Sequence, residues 1–272
     1  MTSLEQVRGA RSFLFVPGDR PERFDKAAAA GADLVIVDLE DAVGAEHKET
    51  ARDAVVAWLS DGGSACVRVN AAGSPEHAAD VAALAGSSGL VAVVLPKADD
   101  PAVADAVAAR CGVPVVALVE SAAGMLRAAE LARAEGVARL AFGHLDYAVD
   151  LGADNGRTAM LHGRSTLVLA SRGAGLPGPV DGVTVTLEDP AVLAEDLAHA
   201  RELGLTGKLL IHPRQVEGTH AAYRPSAEEI GWAEKVLAAV RDTAGGAVRV
   251  DGDMVDAPVI ARAHDVLRRK DR

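Results

Sequence analysis

The sequence predicts an α/β protein: a (β/α)8 barrel carrying a C-terminal helical and hairpin extension. Three observations predict it. Eight short runs rich in Val, Leu and Ala alternate with alanine- and charge-rich stretches of helical length. Runs of this kind, bounded by Gly or Pro, read as strands buried on both faces, and their alternation with helices builds a parallel sheet. The chain has 272 residues, which suits one closed barrel with some chain to spare. The alternative is a doubly wound open sheet, but the first strand–helix turn lacks its Gly-x-Gly-x-x-Gly phosphate fingerprint.

The elements follow in order. Residues 12–16 form the first strand, stopped by Pro17-Gly18-Asp19-Arg20-Pro21, where Pro21 suits the first position of a helix. That helix covers 22–30 and Gly31 marks its end. The second strand, 34–37, runs into Asp38-Leu39-Glu40-Asp41. A helix over 46–59, a strand over 65–70, a helix over 75–85 and a strand over 91–95 closed by Pro96-Lys97 come next. A helix over 100–110 leads to the strand-and-loop stretch 113–120, which ends in Glu120. A helix over 122–134 leads to its echo, 140–146, which ends in Asp146. The pattern then weakens into a helix over 157–172, a faint seventh strand over 179–183, a helix over 191–203 stopped by Gly204, and an eighth strand over 208–213. The barrel domain is assigned to 1–222 and the extension to 223–272. In the extension, 226–241 reads as an amphipathic helix with Ser226 and Glu229 as a capping box. Gly245-Gly246 reads as a hinge, 248–256 as a hairpin turning at Asp251-Gly252, and 258–269 as a closing helix. Elements added after a complete barrel suit a lid or an oligomer contact.

Composition narrows the function. Apolar residues make up 49% of the chain and aromatic ones only 3%, so the core is built from Ala, Val and Leu. A net charge of −11 argues against nonspecific nucleic-acid binding, which needs a basic face. A polyanionic small molecule gripped by a local arginine cluster is compatible with it. Cys66 and Cys111 lie in or beside apolar runs, so neither a disulfide framework nor a zinc site is expected, and a reduced cytoplasm is. Residues 1–12 carry charges and show no signal peptide, and no run is long and apolar enough to span a membrane.

In a barrel the carboxyl ends of the strands face one cavity. They would bring there Arg20, Asp38, Glu40, Asp41, Arg68 with Asn70, Lys97, Glu120, Asp146, Asp181 and His212. So many acids are costly together unless a cation neutralises them. Oxygen ligands without a Cys/His set favour Mg²⁺ or Mn²⁺, and Mg²⁺ uses one or two protein carboxylates. Glu120 and Asp146 fit that pair; they also fit as N-caps or first-turn acids of their helices, as is common in any βα loop. Arg68, inside a strand, needs an anionic partner: either a carboxylate or enolate of a substrate, or an ion pair with Asp38 or Glu40. Asp38, Glu40 and Asp41 are expected behind the metal, holding its waters and Arg68. Lys97 is expected in a salt bridge rather than as a Schiff base, His212 as a barrel-bottom or supporting histidine, and His144 as a substrate contact or a loop cap. Arg20, Arg23 and Lys26 form a basic cluster that grips a phosphate-bearing ligand or is a solvated helix face.

These segments resemble a known family. Arg11-Ser-Phe-Leu-Phe-Val-Pro-Gly-Asp-Arg-Pro-Glu-Arg-Phe24, Asp38-Leu-Glu-Asp-Ala-Val43, Val67-Arg-Val-Asn70, Leu95-Pro-Lys97, Val119-Glu120 and Phe142-Gly-His-Leu-Asp146 are similar to the citrate lyase beta-subunit-like family. So are Ile211-His-Pro-Arg-Gln215 and Gly252-Asp-Met-Val-Asp-Ala-Pro258. Its superfamily holds malyl-CoA and citramalyl-CoA lyases and the HpcH/HpaI aldolases. The resemblance implies a TIM barrel, Mg²⁺ held by Glu120 and Asp146, Arg68 on the oxo-acid part, and a homo-oligomer, a trimer or hexamer. It implies CoA contacts at Arg20 and Lys26, and a catalytic proton donor at Asp256 in the C-terminal segment. The expected reaction is Mg²⁺-dependent cleavage of a 3-hydroxyacyl-CoA of citramalyl-, malyl- or citryl-CoA type to acetyl-CoA and an oxo acid. A class II aldolase on free 2-oxo acids, a citrate lyase beta subunit on an acyl-carrier thioester, and a non-enzymatic barrel stand as alternatives. Asp41 occupies the place of the histidine base of the HpcH-type aldolases, which weighs against the first of these.

Overall fold

The computed structural model describes residues 1–241 and 248–270. The chain folds as two compact units, Met1–His220 and Ala221–Arg272. In the first unit eight parallel strands close into a barrel: β1 (Ser12–Pro17), β2 (Leu34–Asp38), β3 (Ala65–Arg68), β4 (Leu90–Leu95), β5 (Val115–Val119), β6 (Val137–Phe142), β7 (Val180–Asp181) and β8 (Gly207–Leu210). Each strand pairs with the next, and β1 pairs back with β8. The helices are α1 (Ser3–Gly9), α2 (Phe24–Ala28), α3 (Lys48–Ser60), α4 (His77–Leu84), α5 (Pro101–Cys111), α6 (Ala122–Leu126), α7 (Ala128–Leu131), α8 (His144–Leu151), α9 (Arg157–Gly173), α10 (Pro190–Leu203) and α11 (Gln215–Tyr223), whose last three residues belong to the second unit.

Local chemistry explains the boundaries. Asp100 and Asp189 cap α5 and α10 by accepting from the amides of Ala102 and Ala191, and a proline follows each cap. Both helices end on a left-handed glycine, Gly112 and Gly204. Cys66 and Cys111 are buried free thiols.

Strand periodicity sorts the side chains. One apolar cluster fills the barrel with Phe13, Ile36, Cys66, Val94, Leu118, Ala141, Val180 and Leu209. The other joins intervening strand residues such as Val35, Val37, Val67 and Leu140 to helix residues such as Val55, Leu131 and Leu167. Two residues beyond Ile36, Cys66 and Leu118, on the inward parity, come Asp38, Arg68 and Glu120. Val180 and Leu209 point inward, so their neighbours Asp181 and Lys208 point out toward the helices. At the opposite end Arg139, 1% exposed, donates to the carbonyls of Val7, Ala10 and Gly178 and to Thr206 Oγ1. Its guanidinium lies 5.6 Å from the Phe13 ring.

The second unit contains α12 (Ala227–Arg241), β9 (Val248–Val250), β10 (Asp253–Val255) and α13 (Ala257–Lys270). Ala233, Val236, Leu237, Val255, Ala263 and Val266 form its core. Ser226 and Glu229 make the expected reciprocal cap. The hairpin turns on Asp251 and Gly252, both at positive φ, as a type I′ turn requires. The hinge expected at Gly245-Gly246 lies outside the described residues.

The structure also differs from the sequence reading. Helix α1 is an addition to it, started by Thr2 and Glu5, which form a capping box. The helix expected over 122–134 breaks at Arg127. The run 140–146 is not one strand and loop: β6 ends at Phe142, and Asp146 sits in the first turn of α8. Among the described residues no helix is long and apolar enough to cross a membrane.

Candidate active site

Asp38 and Arg68, paired across β2 and β3, form the floor of the site. Arg68 Nε donates to Asp38 Oδ1 at 2.7 Å and Nη2 to Oδ2 at 2.6 Å, a bidentate clamp. Its Nη1 lies 3.1 Å from Glu40 Oε2 and 3.4 Å from Asp41 Oδ2. The guanidinium stands 5.0 Å from the Phe15 ring centre. Burial opposes the charge of Arg68, but Asp38 and Glu40 hold its pKa above the usual value. Asp38 also shapes its loop by accepting from the amides of Glu40 and Ala42. Lys48 on α3 secures the same loop by donating to the carbonyls of Leu39 and Glu40.

Glu120 follows β5 and is 3% exposed. Its Oε1 accepts from the Lys97 amide at 2.8 Å. Lys97 has a φ of 49°, a left-handed conformation uncommon for a lysine, and its Nζ donates to Glu40 Oε1 at 2.8 Å. Lys97 therefore ties the two buried acids together, as the expected salt bridge. Burial first, and then the charge of Glu40, push the Glu120 pKa up to about 8. Burial also raises the pKa of Glu40, whose Oε2 has no hydrogen-bond partner despite its nearness to Arg68. A Cβ at Gly143 would collide with Glu120 Oε2, so glycine leaves this oxygen room.

These groups open on a cavity of about 430 Å³, lined by Asp38, Asp41, Arg68, Glu120, His144 and Asp146 together with Phe15, Leu118, Phe142 and Ile211. Asp146 is exposed on α8, and its charge is among those that raise the Glu120 pKa. His144 is 8% exposed, and burial lowers its pKa to about 4, so its ring is neutral at pH 7. Around this mouth the acids Asp38, Glu40, Asp41, Glu120 and Asp146 outnumber the bases Arg68 and Lys97, five to two. Among the described residues no three His, Cys, Asp or Glu groups converge as a metal cage. An acid excess in which Glu40 Oε2 is buried without a hydrogen bond, though ion-paired with Arg68, fits a hard divalent cation that keeps water and substrate in its other positions.

The remaining expected residues lie elsewhere. Arg20, Arg23 and Lys26 are exposed, none lines the cavity, and among the described residues the ion pairs of Arg20 and Arg23 are with their neighbours Asp19 and Glu22. Asn70 is buried and donates to Asp80, away from the cavity lining. His212 follows the carboxyl end of β8, which places it at the opposite end from a barrel bottom, and its Nδ1 accepts from the Arg214 amide. Asp181 does not line the cavity: Arg164 Nε at 2.8 Å and Lys208 Nζ at 2.9 Å hold it in the helix layer. Asp256, in the second unit, caps α13 by accepting from the Val259 amide at 3.2 Å. Sequence reasoning missed Arg164 and Lys208; charged residues inside an apolar strand and on a barrel-facing helix were the available signal.

A family model described as HpcH/HpaI aldolase/citrate lyase matches residues 11–213. The "Citrate lyase subunit beta-like protein" of Mycobacterium tuberculosis is 41% identical over 264 residues, covering 94% of each chain. The "(3S)-malyl-CoA thioesterase" of Cereibacter sphaeroides is 36% identical over 275 residues, covering 96% of this chain and 95% of the other. The crystal structure of CitE from Mycobacterium tuberculosis in complex with magnesium, acetoacetate and coenzyme A matches with a TM-score of 0.86 at 39% identity, over 97% of this chain and 100% of that one.

Proposed function

We propose, since this chain belongs to the HpcH/HpaI aldolase/citrate lyase family, that it is a Mg²⁺-dependent carbon–carbon lyase acting on a 3-hydroxyacyl-CoA. The substrate is of citramalyl-, malyl- or citryl-CoA type, and the products are acetyl-CoA and an oxo acid. The observation that carries the reading is Glu120: a buried carboxyl with its pKa at about 8, in an acid-rich mouth, across from a clamped arginine. Glu120 and Asp146 are the residues that would hold the cation. When bound, Mg²⁺ supplies Lewis-acid activation of the substrate's hydroxyl and carboxylate oxygens.

The other roles belong to the chain. Arg68 binds the oxo-acid part and stabilises the thioester enolate left when the carbon–carbon bond breaks. Asp38 keeps the Arg68 guanidinium in register through its two hydrogen bonds. Glu40 and Asp41 stand behind, supporting Arg68 and the waters of the cation. Asp256 is assigned the proton that turns the enolate carbon into the methyl group of acetyl-CoA. Arg20 and Lys26 are assigned to the phosphates of CoA, a role that their exposure permits. The protein is read as a cytoplasmic homo-oligomer, a trimer or hexamer.

A panel of CoA thioesters and free oxo acids, each with and without Mg²⁺, tests this reading. Acetyl-CoA and an oxo acid should be released from one of the three thioesters only when Mg²⁺ is present. Glu120→Ala and Asp146→Ala should each lower that rate by about 100-fold or more. Cleavage that survives both substitutions, or proceeds equally without Mg²⁺, would overturn it.

A further inference from the structure

We propose that Asp150 is a positioning residue that fixes the spacing between Glu120 and Asp146 and so makes the cation site favour a small ion. The inference rests on the reading of those two carboxylates as the cation's ligands, and it adds what sets their separation. Asp150 lies in the last turn of α8, four residues after Asp146, so the two stand on one face of that helix. Its Oδ2 accepts from the Ala122 amide at 2.6 Å. Ala122 is the first residue of α6, two residues after Glu120. This hydrogen bond therefore joins the segment that follows Glu120 to the helix that carries Asp146. On the other side of Glu120, the Gly143 amide donates to the Val119 carbonyl at 3.0 Å. Gly143 directly precedes α8 and packs against the Glu120 side chain. Glu120 is thus bracketed, before and after, by bonds to the segment that holds Asp146.

The charge of Asp150 is misplaced for its own helix and well placed for α6. A carboxylate in the last turn meets the negative end of the helix dipole, and Gly152 ends α8 two residues later. The Ala122 amide is one of the first-turn donors that α6 cannot satisfy from within, and Ser121 Oγ serves Gly124 instead. Asp150 gives that amide a charge-assisted bond. Removing the bond frees the chain beyond Glu120 from α8, while the tie before Glu120 stays. The spacing bears on ion choice. Mg²⁺ demands near-octahedral geometry at about 2.0–2.1 Å, whereas Ca²⁺ accepts about 2.3–2.6 Å in flexible geometry. Loosening the pair should penalise Mg²⁺ more than Ca²⁺. The Asp150 charge acting through space would instead affect both ions alike.

Calorimetric titration of the full-length protein with Mg²⁺ and with Ca²⁺ tests this. Asp150→Ala should weaken Mg²⁺ binding about 10-fold. It should weaken Ca²⁺ binding by about twofold or less, which also shows that the variant is folded. Asp150→Asn keeps an oxygen acceptor for the Ala122 amide and removes the charge, and it should restore most of the Mg²⁺ affinity. Equal losses for the two ions, no loss for either, or an asparagine variant no better than alanine would overturn the inference and leave the metal pair standing. Mg²⁺ affinity that Glu120→Gln leaves unchanged would overturn the metal pair and the inference with it.

Discussion

Two buried ion clusters stand near the carboxyl ends of the strands, made of the same residue types and differently balanced. In one, Arg164 and Lys208 hold Asp181 between the barrel wall and α9, and the carboxylate is 1% exposed. Burial works against that carboxylate, yet its two cations keep its pKa below the ordinary value. In the other, Arg68 is clamped by Asp38 while Glu40 and Glu120 sit near the cavity with raised pKa values. The first cluster spends its charges on the fold: every carboxylate oxygen has a cation. The second holds more acid than the chain neutralises, and it opens on a cavity. Buried carboxylates left in that state cost stability, and a protein keeps such a cost where function uses it.

Replacing a carboxylate in each cluster should therefore have opposite effects on the fold. The largest loss is expected at Asp181→Ala, which strands two buried cations. Removing one partner of a buried ion pair costs about 3–5 kcal/mol, and thermal melting should drop by about 10 °C or more. A melting point within about 2 °C of the parent would mean that the helix-layer cluster is not structural. The next effect is functional. Glu120→Gln keeps the shape and the acceptor for the Lys97 amide but removes the charge, so Mg²⁺ affinity should fall by about 100-fold, read by calorimetry.

The third effect is on stability, and its sign is opposite to that at Asp181. The Glu120 carboxyl titrates near 4.5 when unfolded and near 8 when folded. Folding thus favours its protonated form; the contribution is complete below pH 4.5 and is lost as pH rises through 8. Without Mg²⁺ the parent should lose stability between these values, and Glu120→Gln should lose less of it and melt higher above pH 8. With Mg²⁺, which needs the ionised form, the melting point of the parent should rise more at pH 8.5 than at pH 6. A parent and variant with parallel pH profiles would remove the assigned strain from Glu120.

Much of this arrangement was readable in the residues. The eight apolar runs and the period-2 parity that turns Asp38, Arg68 and Glu120 inward follow from local pattern. The salt-bridged Lys97 and both readings of Arg68 were also available, and the structure shows the ion pair with Asp38. What pattern did not reveal was set by geometry at a distance. The link between Arg164 and Asp181 spans 17 residues and a change of element, so no spacing rule marks it. The start of α8 at His144 was hidden because Leu140 to Leu145 reads as one apolar stretch until Gly143 ends the strand. The crowding of Gly143 against Glu120 and of Gly182 against His144 arises only when adjacent strands and loops come into register.

The most direct test is a crystal structure of the protein grown with Mn²⁺ in place of Mg²⁺ and an oxo acid, with the ion located by its anomalous signal. One ion should be bound to the carboxylates of Glu120 and Asp146, with the oxo acid on its open positions and within hydrogen-bonding reach of Arg68. An ion bound elsewhere, or Glu120 and Asp146 turned apart with the oxo acid away from Arg68, would contradict the proposed site.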